Sequence, residues 1–144
     1  MMRTLAAVAT FLIASLLPGC AEMKSMTGQS SSSALTGLLT QQLGVTETQA
    51  TGGVGSILKL AQEKLSAGDF DQVAKAVPGA DKYLAQARQL LGGGNVGDKA
   101  GLQSAFSKLG MGSDMVSKFS PIVTQFVGQS GGSQAGSLLA GVLK

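Results

Sequence analysis

The spacing of the apolar residues constrains this chain more than any other feature. From residue 34 onward they recur at intervals of three and four, and no stretch alternates polar and apolar in the manner of a strand. Leu35, Leu38, Leu39 and Leu43 share one helical face. Val54, Ile57, Leu58, Ala61 and Leu65 share another, as do Phe70, Val73, Ala74 and Val77. Tyr83, Leu84, Ala87, Leu90 and Leu91 form a fourth stripe before the loop GGGNVG. Leu102, Ala105, Phe106 and Leu109 follow, then Met115, Val116, Phe119, Ile122, Val123 and Phe126, and last Leu138, Leu139, Val142 and Leu143. The chain therefore reads as all-α, a compact bundle of six or seven short helices over residues 34–144.

Punctuation agrees with this division. Thr46 with Gln49 and Asp69 with Gln72 have the spacing of a capping box or a close variant, in which a side-chain oxygen accepts from a free backbone N–H. Asp81, Asp98, Ser113 and Ser133 are further candidate caps. Pro78-Gly79 ends the third helix, and Pro121 is expected to kink or divide the sixth.

The first 33 residues have a different character. Arg3 is the only charge before an apolar run at 5–17, which a Pro-Gly break and small residues follow, the layout of a secretory signal. The run falls short of the roughly 20 apolar residues that cross a bilayer. Two processing routes fit. Leu17, Gly19 and Cys20 match a lipoprotein signal cut between Gly19 and Cys20, the cysteine sulfur carrying the lipid; Pro18 departs from that pattern. The alternative is ordinary cleavage between Ala21 and Glu22, which discards Cys20. The lipoprotein route is preferred because EMKSMTGQSSSS has the composition of a flexible tether, and because the lone cysteine has no internal disulfide partner. The expected organisation is a signal at 1–19, a tether at 20–33 and one helical domain at 34–144. Removal of the signal leaves 144 − 19 = 125 residues, enough for one core. Ala21 in place of Asp, which in many Gram-negative bacteria favours the outer membrane, gives the periplasmic face of that membrane as the expected location of an acylated protein; without acylation the expectation is a periplasmic or secreted one.

One pattern recurs at a distance. LTGLLTQQLGVTETQA and LQSAFSKLGMGSDMV each give a helix, then Leu-Gly-apolar, then a second helix. Gly44 and Gly110 supply the left-handed backbone that ends a helix, and Val45 or Met111 folds back toward Leu39 or Phe106. In the segment LGVTETQATGGVGSILKLAQEKLSAGDFDQVAKAVPGAD, the elements Leu43-Gly44-Val45, Gln49-Ala50, the cluster at 52–55, Asp69-Phe70 and Val77-Pro78-Gly79 resemble the VcgC/VcgE family of small bacterial proteins of unknown function. The resemblance extends over about two-thirds of the chain. The Leu109-Gly110-Met111 unit is similar to the helical hairpins of YidB-like proteins. Neither resemblance implies an activity or a set of site residues, and Cys20 with the serine-rich tether is a departure from the first.

Composition removes several kinds of chemistry. The chain has no histidine, so the commonest general base and metal ligand is absent. Asp69 and Asp71 lack the remaining positions of a calcium loop and read as helix-start carboxylates. Thr51–Lys59, TGGVGSILK, fits neither glycine-rich phosphate-loop spacing. Its three glycines cost about 0.8–1 kcal/mol each inside a helix, and close approach of a neighbouring helix is the preferred reason for them over contact with an anion. The serines have no evident base, so no catalytic residues, metal or cofactor are expected. A net charge of +3 with one Tyr, five Phe and no Trp gives no nucleic-acid footprint.

By elimination, the sequence reads as an exported, lipid-anchored, non-enzymatic envelope module with the membrane, and an envelope protein, as partners. Its oligomeric state is not legible. The alternative is a carrier or sensor for a small apolar ligand, lined by Phe106, Met111, Met115 and Phe119; at helical spacing these residues more readily form core.

Overall fold

A computed structural model describes residues 30–144. The expected signal at 1–19, the two cleavage positions, Cys20 and the tether as far as residue 29 lie outside the described residues. The helices are α1 (Ser30–Leu43), α2 (Glu47–Lys64), α3 (Ala67–Ala76), α4 (Ala80–Leu91), α5 (Lys99–Lys108) and α6 (Asp114–Leu143), and no strand occurs among the described residues. Helix α1 starts at Ser30, inside the stretch read from sequence as tether.

The architecture is organised around α2, which packs against every other helix and most extensively against α4; α3 lies chiefly against α6. Every residue of α2 from Gly52 to Ala61 is buried. A helix buried on all sides cannot carry a polar face. Here the demand is met by Gly, Ala and aliphatic residues, with Ser56 donating its hydroxyl to the Gly52 carbonyl at 2.7 Å and Lys59 paired as described below.

The three glycines sit where other elements come closest. A β-carbon on Gly55 would collide with the Tyr83 carbonyl of α4, one on Gly53 would lie 2.6 Å from the Phe119 ring of α6, and one on Gly52 would lie 2.7 Å from Leu109. The helix-propensity cost is thus exchanged for close packing, as the sequence reading preferred.

The turns follow their local chemistry. Thr46 and Gln49 form a reciprocal capping box at the start of α2, with N–H···O distances of 3.2 and 3.0 Å. Gly44 and Gly110 both have positive φ, at 65° and 76°, and Val45 and Met111 are buried behind them. In the second hairpin the Met111 amide donates to the Phe106 carbonyl at 2.9 Å. The two hairpins are also joined directly: Gln49 Nε2 donates to the Leu109 carbonyl at 3.1 Å, across 60 residues of sequence. Asp98 caps α5 by accepting from the Gly101 amide at 2.8 Å.

Three local expectations are corrected. Ser66 caps α3, not Asp69: its hydroxyl oxygen accepts from the Asp69 amide at 3.3 Å, which makes Asp69 the third helical residue. Helix α4 begins behind left-handed Gly79, so Asp81 belongs to its first turn, where a carboxylate suits the helix dipole. The break in α6 falls at Gly132 and not at Pro121. Pro121 and Ser117, whose carbonyl loses its usual donor, are both exposed, so the missing hydrogen bond is not buried and the helix runs on. Gly132 has φ 85° and ψ 164°, a combination open only to glycine. There the chain folds back until a β-carbon on Gly136 would lie 3.0 Å from the Gly128 Cα, while Gly131 abuts Ala76 of α3. Ser113 holds the N-cap position of α6 without a side-chain bond, and Ser133 follows the break.

Candidate functional site

The four residues read as ligand-lining come together where the α5–α6 hairpin packs on α2, and they are packed against protein. Phe106 and Phe119 are both 0 % exposed. Their rings meet edge to face at 5.0 Å and 87°, and Phe119 fills the hollow over Gly53. Met111 is buried at the turn, and Met115 is half-buried against the same core. Gly19, Cys20, Ala21 and Glu22 lie outside the described residues.

Four surface grooves among the described residues have other linings. One, of about 550 Å³, runs between the end of α2 and the last part of α6 beside Leu65, Leu138 and Val142. One of about 320 Å³ lies along α1 at Thr36, Thr40 and Glu47. Another, of about 270 Å³, lies beside Asn95, Val96 and Lys108. A groove of about 200 Å³ separates α1 from α6, with Leu38, Ile122 and Phe126 as its apolar members and Gln42, Gln125 and Gln129 around them.

The polar groups that sequence singled out are occupied structurally. Ser66 donates its hydroxyl hydrogen to Asp69 Oδ2 at 2.8 Å, and Asp71 pairs with Lys75 at 2.6 Å. No group of three or more carboxylate, cysteine or histidine side chains able to hold a metal occurs among the described residues. The amides at 52–55 cannot cradle an anion as a helix-start loop does, because α2 already begins at Glu47 and they lie within its hydrogen-bonded turns.

The most developed polar arrangement escaped the sequence reading. Lys59, buried on α2, pairs with Glu63 one turn later at 3.1 Å. Glu63 then reaches over to the glycine-rich loop, accepting from the Val96 amide at 3.3 Å and the Gly97 amide at 2.5 Å. Burial opposes ionisation of Glu63, but the Gly97 amide, Lys59 and the Val96 amide outweigh it and hold the carboxyl below its ordinary value. With Lys59 and two loop amides as partners, this carboxylate fastens the loop to α2. The i, i+4 spacing of Lys59 and Glu63 was the available signal; the loop partners, more than thirty residues on, leave no local trace. A second buried polar contact joins Thr36 Oγ1 and the Tyr83 hydroxyl at 3.0 Å. Burial pushes the Tyr83 hydroxyl pKa up, against the effect of the Thr36 hydrogen bond.

Among known families, the one described as "Protein of unknown function VcgC/VcgE" matches residues 18–144. The chain belongs to that family. The match to VcgC/VcgE takes in all six helices and exceeds the two-thirds read from sequence. Cys20 and the serine-rich stretch fall inside the matched region. No curated protein and no solved structure matches the chain.

Proposed function

We propose that this VcgC/VcgE protein is an exported envelope module, held to a membrane by a lipid on Cys20 and acting by contact rather than catalysis. The observation that carries the reading is the order of parts along the chain: an apolar run at 5–17, then Leu17-Pro18-Gly19-Cys20, a polar stretch, and a helical domain from Ser30. The family match begins at residue 18, which leaves the apolar run outside the shared region, as befits a segment removed on export. The domain supports a contact role because its described carboxylates and lysines cap helices, fasten a loop or face solvent, and Phe106 and Phe119 are packed into the core.

Mass spectrometry of the protein from the membrane fraction of its native host tests this reading. The expected mature chain begins at a triacylated or diacylated Cys20. A chain that begins at Glu22 without lipid would overturn the anchor, and turnover of an ester, peptide or phosphate substrate by the purified domain would overturn the contact role.

A further inference from the structure

Charge is distributed unevenly over the domain. Helix α1 has no charged residue, and α6 has none from Phe119 to Leu143; every charge between residues 30 and 143 lies between Glu47 and Lys118. These two helices pack against each other. Together they form one outer face: Leu38, 39 % exposed, stands beside half-buried Ile122 and Phe126, and exposed Gln42, Gln125 and Gln129 surround the groove between them. We propose that this face rests against the lipid surface that carries the anchor, a proposal that builds on acylation at Cys20.

Two arguments identify the occupant. The first is where the anchor joins the domain. Nine residues, 21–29, separate Cys20 from Ser30, the first residue of α1, so the linker reaches at most about 33 Å. The face that begins at Ser30 is therefore kept near the bilayer. The second is dehydration. Glutamine, serine and threonine give up water at a headgroup boundary far more cheaply than a charge does. An uncharged, weakly apolar face would bind lipid poorly from free solution, where interfacial helices ordinarily use Lys and Arg. A short linker removes that need, because it raises the effective concentration to the millimolar range.

The chain suits a site-specific test, since an acylated Cys20 leaves no free thiol. The acylated protein with Gln125→Cys, or with Gln89→Cys on α4 as the remote control, is labelled with an environment-sensitive fluorophore. It is then placed in phosphatidylethanolamine–phosphatidylglycerol vesicles containing nitroxide lipid. The label at 125 is expected to shift to the blue and be quenched, and the label at 89 to stay solvated. Thirty added Gly-Ser residues in the tether should weaken docking about eightfold, by the −3/2 power of linker length. Equal quenching at both positions, with the lipid on Cys20 confirmed by mass, would overturn the docked face while leaving the anchor standing. Protection at 125 that follows protein density instead of nitroxide lipid would assign the face to a second copy and also overturn the proposal. Absence of the lipid would remove the anchor and the docking together.

Discussion

Glycine has opposite consequences in α2 and α6. In α2, three glycines within four residues leave the helix regular and let α4, α6 and Leu109 approach it. In α6, Gly132 ends one helical run and turns the next back on it, with Gly128 and Gly136 where the two halves touch. The residue is the same and the intrinsic helix cost is the same. What differs is whether neighbouring mass presses on the missing side chain or the backbone uses the missing β-carbon to reach a forbidden dihedral.

Substitution separates the two uses. Gly55→Ala should have the largest effect: the added carbon meets the Tyr83 main chain, which cannot rotate away, so α4 must shift. A loss of about 3 kcal/mol is expected in urea denaturation, after the gain from better helix propensity. An unchanged midpoint would mean that α2 and α4 are less closely packed than described. Gly132→Ala has open space for its carbon but a disallowed backbone, and should cost about 2 kcal/mol; Pro121→Ala, by contrast, should not destabilise the protein. If the proline variant proved to be the destabilised one, the break would belong at 121. The smallest effect belongs to Gly37→Ala in α1, a helical glycine with no neighbour within 4 Å. It should raise stability by up to about 1 kcal/mol, measured as a higher thermal midpoint, and a decrease would reveal a contact on α1.

This contrast also marks what the sequence could disclose. Helix faces were legible because each partner repeats within a few residues, and the turns at Gly44 and Gly110 were legible because Leu-Gly-apolar is a local signal. The cap of α3 was misread because Ser66-x-x-Asp69 and Asp69-x-x-Gln72 overlap and both have the right spacing; only the backbone of the folded chain distinguishes them. Pro121 carried a stronger local warning than Gly132, yet its exposure made it harmless. The attachment of Glu63 to the loop, and of Gln49 to Leu109, could not be read at all, because each joins residues far apart in sequence. For the candidate ligand-lining residues, spacing brought Phe106 and Phe119 together but could not say whether a space remained between them; their edge-to-face contact fills it.

The central position of α2 also sets an order of events. This helix is the second to be synthesised, yet α4, α5 and α6 supply most of its cover, and the Phe119 ring that fills the hollow at Gly53 comes 66 residues later. A nascent chain that has produced α1 and α2 holds a glycine-weakened helix with little to rest on. Burial therefore runs against the direction of synthesis: α4 supplies the largest share of the cover of α2, and the hollows at Gly52 and Gly53 are filled only once Leu109 and Phe119 have been made.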